Sequence, residues 1–554
     1  MNKFDKNFHL NFLPLYGVIV FMLLMAFAHE AKAEEEFIEE VVVVGAEVRN
    51  EVADLSSDFS LLEIIQPASP YAIGGLGGFV GFAERGTQSV HTSVYRNGIP
   101  VNDSGAGWYD FAHDVPTGFE KIKIVNGPNS VHYGSASMGG TVLISDDLGD
   151  GLITRVGSEH SLASYSVNDM FNVTYLRANN GSVRTDNEED DWYENKTART
   201  SFDFAGWNLS ANYTDYDYDY DNCFNDAFES VNDCLQVGEK INFSLRNDYL
   251  TFGYSSNEAD YFTEDVQTWN SKAERYYLDI KETFEVGVPA AKLTIGLTAN
   301  HELFQDNEDT RTSFYSTMNW YDQFDIGFRV NEEGEAVFRS GFSLGNFFVQ
   351  IGESYRRPSM YETFGDPWLD ANPDLDAEEG FGFDIGYGAL SVFKYKFREG
   401  IEYAPGYTFE YTDADGNLVS EWTNATYVNT GAYETQGVRF DNVYSTGIHN
   451  WTVFFGYTDS DQPRVPEFKT KLGYGIEAYN TTFNISFVGQ YERGNEVFTD
   501  VPLEDIQTFD FVISRKFNRF ELDFTVQDLF DREFEIVPGY GAGGRNFYLT
   551  VTYK

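Results

Sequence analysis

Cysteine is almost absent from this 554-residue chain, where only Cys223 and Cys234 occur. A disulfide-dense scaffold is therefore excluded. Two cysteines with no histidine beside them, in NCFNDAFESVNDC, also make a poor metal site. One disulfide or two free thiols both remain open. Basic residues are scarce too: Lys and Arg total 38 against 88 Asp and Glu, a formal charge of −50. Phosphate backbones need a basic surface, so nucleic acid is excluded as a partner. Beyond Ala28 no apolar run is long enough for a membrane helix. Catalytic motifs are missing as well. His91, His113 and His132 lack motif partners for a metal or an activated serine, and Gly74 to Gly81 lacks the Lys-Ser/Thr of a nucleotide loop. No constellation supports an enzyme.

Aromatic residues, by contrast, are abundant, with Phe 49 and Tyr 36. That content argues against disorder and suits aromatic girdles at the two edges of a membrane barrel. At the start, Lys3 and Lys6 precede an apolar run from Leu10 to Ala28, and Ala31-Lys32-Ala33 fits a small-residue cleavage site. This is the pattern of a secretory signal peptide over residues 1–33. The acidic residues that follow it argue against a membrane anchor. After Gly149 the period becomes two: Ile241, Phe243 and Leu245, then Leu293, Ile295 and Leu297, then Phe547, Leu549, Val551 and Tyr553 alternate with polar residues. Lipid requires an apolar outer face and satisfied backbone groups, which a closed barrel supplies. The expected class is all-β, a transmembrane antiparallel β-barrel of about 22 strands. If the first strand rises outward, the long connectors fall outside: Asp215 to Glu239, Glu258 to Ser271, Pro358 to Gly380, Ala404 to Tyr427 and Asp531 to Gly544. The short turns near Asn247–Tyr249 and Asn346 fall on the periplasmic side.

Ahead of the barrel, Glu84 to Asp147 predicts a small compact unit. Thr92–Tyr95, Lys121–Val125 and Thr141–Ile144 alternate as strands, and Asn97-Gly98 marks a turn. Arg85-Gly86, the Val94 to Pro100 segment, and the Ile124 to Gly140 run with Gly127-Pro128, Tyr133-Gly134 and Gly139-Gly140 resemble the plug of TonB-dependent outer-membrane receptors. Asn97 stands where the family usually has Asp. Asn126 stands where it has Arg, which predicts weakened charge pairing between plug and barrel wall. Ser354 to Tyr387 resembles the family's strand–loop–strand with a Pro and a later Asn-Pro-x-Leu, carried here by Tyr355, Arg357, Pro358, Glu362, Asn372, Pro373 and Leu375. The absence of histidine between Tyr355 and Leu375 argues against haem. Gln527 to Ile536 and Gly544 to Lys554 resemble the closing strands.

The resemblance implies a mixed α/β plug over residues 51–148 inside a barrel over 149–554, preceded by a periplasmic segment over 34–50. In that segment Glu40, Val41, Val42, Val43 and Val44 resemble a TonB box, which adds as a strand to the sheet edge of a periplasmic energy-coupling protein. The implied function is energy-coupled uptake of a scarce nutrient, a ferric siderophore or cobalamin, by a monomer in the outer-membrane lipid of a Gram-negative bacterium. The alternative is a passive porin-like channel with a constriction domain. In the plug, Asn102, Asp103, Trp108, Tyr109, Asp110 and His113 set polar groups beside aromatic faces, which suits either a loop packed against the barrel wall or a ligand platform. Tyr361 and Trp368 join them as ligand-binding candidates. The family's habit of stapling outer loops favours a Cys223–Cys234 bridge. No cofactor is required. Asp215, Asp217, Asp219 and Asp221 recur at period two, with Tyr216, Tyr218 and Tyr220 opposite. They read as a solvated acidic rim with the tyrosines in the interfacial girdle, or as a Ca²⁺ cage completed by Asn222, Asp226 and Asp233.

The box reading carries a prediction. Val42→Pro removes a backbone donor and disrupts strand addition. Binding at the cell surface is expected to survive while uptake stops, and unchanged uptake in cells carrying the substitution would refute the assignment.

Overall fold

The computed structural model describes residues 48–554, apart from 53–68, 73–74, 117–119, 182–183, 185–189, 226–228, 288–290, 368, 413–417, 496–500, 542–543 and 554. The candidate box Glu40 to Val44 and the leader lie outside these residues, as does most of the Ser57 to Ser69 link.

From Gly151 onward, 22 antiparallel strands close into a barrel, with the last strand, Asn546–Tyr553, paired to the first, Gly151–Gly157. Closure leaves no unpaired edge, as lipid demands. Side chains alternate across the wall. In His160–Val167 the residues from His160 to Ser166 alternate buried and exposed. Exposed Phe171, Val173 and Tyr175 face outward, while Asn172 hydrogen-bonds Ser164 and Ser166 inside. The outward apolar set continues around the wall through Ile280, Leu297, Ile326, Phe338, Ile351, Phe381, Ile485 and Leu549. Exposed Tyr249, Tyr321, Tyr387, Tyr479 and Phe517 sit at the turns on one rim, the position of an interfacial aromatic belt.

Connection lengths alternate around the barrel. Strands Cys234–Arg246 and Leu250–Thr263 are joined by three residues, and Ala336–Leu344 and Phe347–Arg356 by two. The opposite rim carries the long connections, 357–377 and 399–432 among them. One expected outer loop is corrected. Glu258 to Ser271 is strand, because Leu250–Thr263 and Val266–Glu285 continue to a two-residue turn at Glu264-Asp265. Both turn residues have positive φ, 50° and 64°, as a tight hairpin matched to strand twist requires. Strand pairing here continues past the apolar band.

The plug holds a five-stranded sheet in the order Val48–Val52, Lys121–Asn126, Gly140–Ser145, Thr92–Arg96, Ile99–Pro100. Thr92–Arg96 runs parallel to Gly140–Ser145 and the other pairs are antiparallel. Ser130–Tyr133 forms a single helical turn, and Gly98 takes φ 85° after the strand. Phe82, Val94, Ile99, Phe111, Ile122, Ile124, Val142 and Ile144 make the plug core.

At positions other than Asn126, charged pairs join plug and wall beside apolar contacts such as Met138 with Phe393. Arg85 pairs with Asp384 at 3.1 Å, Glu84 with Arg439 at 3.0 Å, and Glu120 with Arg199 at 2.7 Å. His91 lies 2.6 Å from Glu378, and His132 lies 3.3 Å from Asp325. These side chains are almost fully buried. The lumen wall is polar, so the plug seats by matching charges, and residues far from Asn126 supply them.

Removing one partner of such a pair strands a buried charge at a cost of ~3–5 kcal/mol. Glu120→Ala is therefore expected to loosen plug seating, read as faster hydrogen exchange across Lys121–Asn126, with Glu120→Ala/Arg199→Met closer to the parent. Unchanged exchange in the single variant would contradict this account of seating.

Candidate functional site

The loop between plug strands, Asn102 to His113, rises to the rim with the long connections and forms the floor of a cavity of about 410 Å³. Barrel residues Tyr216, Gln236, Lys240, Asn257, Tyr261 and Trp269 wall it, and Phe304, Tyr361 and Asp366 close one side. The structure thus gathers Asn102, Asp103, Trp108, Tyr109, Asp110, His113 and Tyr361 around one space. Trp368 lies outside the described residues.

These residues play different parts. Asn102 is a plug clamp: its Oδ1 accepts from Val94 N at 2.7 Å and its Nδ2 donates to Thr92 O at 3.0 Å. Asp110 caps the 3-10 turn Phe111–His113, accepting from Ala112 N at 3.0 Å and from Val80 N at 2.9 Å. Burial pushes its carboxyl above the ordinary range. Tyr109 packs edge-on against Phe111, with its hydroxyl on Asp114. His113 stacks on Tyr216 at 3.5 Å between centroids, and burial holds its imidazole well below its ordinary pKa. Tyr109 and His113 are buried floor. Trp108, edge-on to Phe79 at 5.7 Å, is partly open, as are Asp103 and Tyr361.

Tyr361 belongs to a short helix, Met360–Phe364, in the long outer connection. Ser359 caps it, accepting from Glu362 N at 3.2 Å, while Glu362 accepts from Ser359 N at 2.7 Å. The helix also leans on the plug loop, with Tyr361 N donating to Gly105 O at 2.9 Å.

In the acidic strand the expected place of the tyrosines is corrected. In Trp207–Tyr220 the inward side carries Ser210, Asn212, Thr214, Tyr216 and Tyr218, all buried, so period two sends Asp215, Asp217 and Asp219 outward. The tyrosines line the lumen, where the girdle had been expected to hold them. Asp215 lies 3.4 Å from Lys196, and Asp221 is buried at the strand's end. Among the described residues no three His, Cys, Asp or Glu are grouped as a metal ion needs. Cys223 and Cys234 are joined, with Cα atoms 6.0 Å apart, in the connection after this strand. His301 also faces outward, beside Tyr276.

Several lining residues escaped the sequence reading. Lys240, Asn257 and Tyr261 follow from strand parity once the facing of one neighbour is known. Trp269 was hidden by the mistaken outer loop at Glu258 to Ser271.

Residues 48–141 match the TonB-dependent Receptor Plug Domain family. The chain belongs to the TonB-dependent receptors of the outer membrane. The receptor is 21% identical to the vitamin B12 transporter BtuB of Photobacterium profundum, over 94% of each chain. It is 23% identical to BtuB of Vibrio cholerae, over 87% of each. In fold it is similar to the siderophore receptor PirA of Acinetobacter baumannii, with TM-score 0.68 and 14% identity, covering 94% of this chain and 100% of that one. The ferric enterobactin receptor PfeA of Pseudomonas aeruginosa, in a mutant bound to enterobactin, gives 0.66 at 13% identity, covering 92% and 99%. The receptor is thus a TonB-coupled active transporter of a scarce nutrient in a Gram-negative outer membrane, and not an enzyme.

The buried histidines of the plug give it a pH dependence. The seated plug holds His113 and His132 below their ordinary pKa, chiefly by desolvation, while an exposed imidazole titrates near ~6.5. Their contribution is complete above that value and is lost as the pH falls below it, because the opened plug takes up the protons. Exchange protection of residues 110–116 is expected to fall between pH 7.5 and 5.5, after correction for intrinsic rates, and His113→Asn should flatten the profile. Equal protection at both pH values would overturn this.

Proposed function

We propose that the receptor binds its nutrient in the outward cavity above Asn102 to His113, and that a pull on Glu40 to Val44 by the TonB-like protein then rearranges the plug. The observation that carries this reading is the cavity's floor. It is built from plug residues, so a ligand resting on Trp108 and Asp103 touches the element that must move. The domain limits of this scheme are a leader over 1–33, a periplasmic segment from 34 up to the strand Val48–Val52 that opens the plug, a plug that continues to 148 and a barrel over 149–554. The working unit is a monomer, with lipid against the outward apolar side chains.

The names of the similar proteins, vitamin B12 transporters by sequence and siderophore receptors by fold, support a metal chelate as the cargo. A chelate of that size would fill the cavity and extend outward to Tyr361 and the connection over 357–377. Trp108 and Trp269 would meet its faces, each aromatic contact contributing roughly 1 kcal/mol beyond area burial.

The test is uptake by cells in which this receptor is the sole route for the chelate. Trp269→Ala is expected to weaken surface binding by about tenfold, equivalent to ~1.4 kcal/mol, and to lower uptake in proportion. A protonophore should abolish uptake and leave binding intact. Uptake that persists without proton-motive force would point instead to a passive channel.

A further inference from the structure

The charges that line the outward cavity are unbalanced. Asp103, Asp110 and Asp366 face it, against Lys240 as the one ammonium and with no guanidinium among the described lining residues. His113, the other basic residue of the lining, is kept neutral by burial. Lys240 is itself committed, since its Nζ donates to Asp110 O at 2.9 Å and lies 5.4 Å from the centre of the Tyr109 ring.

Three of the four side-chain amides of the lining are spent in the same way, Asn242 being the fourth. Gln236 Nε2 donates to the Tyr216 and Tyr261 hydroxyls at 3.0 and 3.4 Å. Asn102 Nδ2 is held by Thr92 O, and Asn257 Nδ2 by Asp103. What the cavity presents to an incoming molecule is carboxyl groups, the Asn242 amide, serine hydroxyls and the faces of Trp108, Tyr261, Trp269 and Tyr361.

Arginines do exist next door. A separate space of about 110 Å³ shares Asn102, Asp103 and Ser104 with the cavity, and five arginines line it: Arg356, paired with Glu362 and Glu378, Arg357, paired with Glu332 and Glu333, and Arg275, Arg311 and Arg329. Each is engaged. Arg275 holds Glu302 at 2.8 Å and Asn102 O at 2.8 Å. Arg311 holds Asp309 at 2.8 Å and Pro358 O at 2.7 Å. Arg329 donates to Val131 O at 3.0 Å and to Thr298 Oγ1 at 2.9 Å. An anionic ligand in the outward cavity would meet three carboxyl groups, each already accepting hydrogen bonds, against one ammonium that is itself held by Asp110 O. A cation or an amide N–H would meet acceptors and aromatic faces, which attract positive charge.

We propose that the receptor selects a neutral or cationic chelate bearing N–H donors, and rejects anionic chelates such as ferric tris-catecholates or tricarboxylates. The inference rests on the reading of this cavity as the ligand site, and deepens it by naming the ligand's charge class. It also separates the receptor from the enterobactin-bound structure whose fold it shares.

The experiment is binding calorimetry on the detergent-solubilised full-length receptor with three probes. Cobinamide and ferrioxamine B carry amide N–H groups and no net negative charge, whereas ferric enterobactin is an anion. At least one of the first two is expected to bind saturably, at least 100-fold more tightly than the anion. Ser255→Lys places an ammonium on the cavity wall without touching the plug. It should weaken the amide-bearing probe by roughly tenfold or more and strengthen the anionic one. That gain shows the variant is folded.

Saturable binding confined to ferric enterobactin, or no saturable binding of cobinamide and ferrioxamine B up to millimolar concentration, would overturn the charge class. Tight binding of an amide-bearing probe that neither Ser255→Lys nor Trp269→Ala alters would instead overturn the assignment of the cavity as the site.

Discussion

Lipid allows no unpaired backbone group, and that constraint shapes everything else in this receptor. The wall must close, which it does where Asn546–Tyr553 meets Gly151–Gly157. Closing it on 22 strands makes the lumen wide. A wide lumen is wet, so the inner face of each strand is polar. The plug must then be held across a polar surface, with only small apolar clusters, such as Val131 with Val337 and Tyr355, beside the polar contacts. Arg85 on Asp384, Glu84 on Arg439 and Glu120 on Arg199 are the result. Such pairs specify one seated position and add little net stability over well-packed apolar contacts. A plug held this way can be well placed and still be displaced by a pull.

The same logic links the outer connection to the plug. Glu362 of the Met360–Phe364 helix pairs with Arg356 at 2.8 Å, Arg356 pairs with Glu378 at 2.7 Å, and Glu378 holds His91 of the plug. The helix that carries Tyr361 into the ligand cavity is therefore joined to the plug through two ion pairs and a histidine–carboxylate hydrogen bond. It also touches the plug directly, through Tyr361 N on Gly105 O. A ligand that shifts Tyr361 would act on the plug through both contacts.

Much of this was legible in the sequence because the physics of a membrane wall is periodic. Leu293, Ile295 and Leu297 could face only lipid, and short turns at Asn247 and Asn346 could lie on only one side. The plug strands were legible through their turn residues, Asn97-Gly98 and Gly127-Pro128. Other features were not. Tyr216 and Tyr218 read as girdle residues because tyrosine suits an interface, but the strand's parity, fixed lower down by Ser210, Asn212 and Thr214, turns them into the lumen. Above the apolar band both faces of a strand meet water, so composition no longer tells inside from outside. The extended hairpin at Glu264-Asp265 misled for the same reason. The plug–wall pairs escaped altogether, since they join residues from 79 to 355 positions apart and nothing local marks them.

The central claim is that transport requires the plug to move relative to the barrel. A reducible tether tests it most directly. A Cβ at Gly107 in the plug loop would lie 3.2 Å from Ser359 Cβ in the outer connection, close to the separation a disulfide spans. In cells carrying Gly107→Cys with Ser359→Cys, surface binding should persist while uptake stops, and a reductant should restore uptake. Each single variant should transport. Undiminished uptake with the tether fully formed, verified on the same cells, would contradict the account.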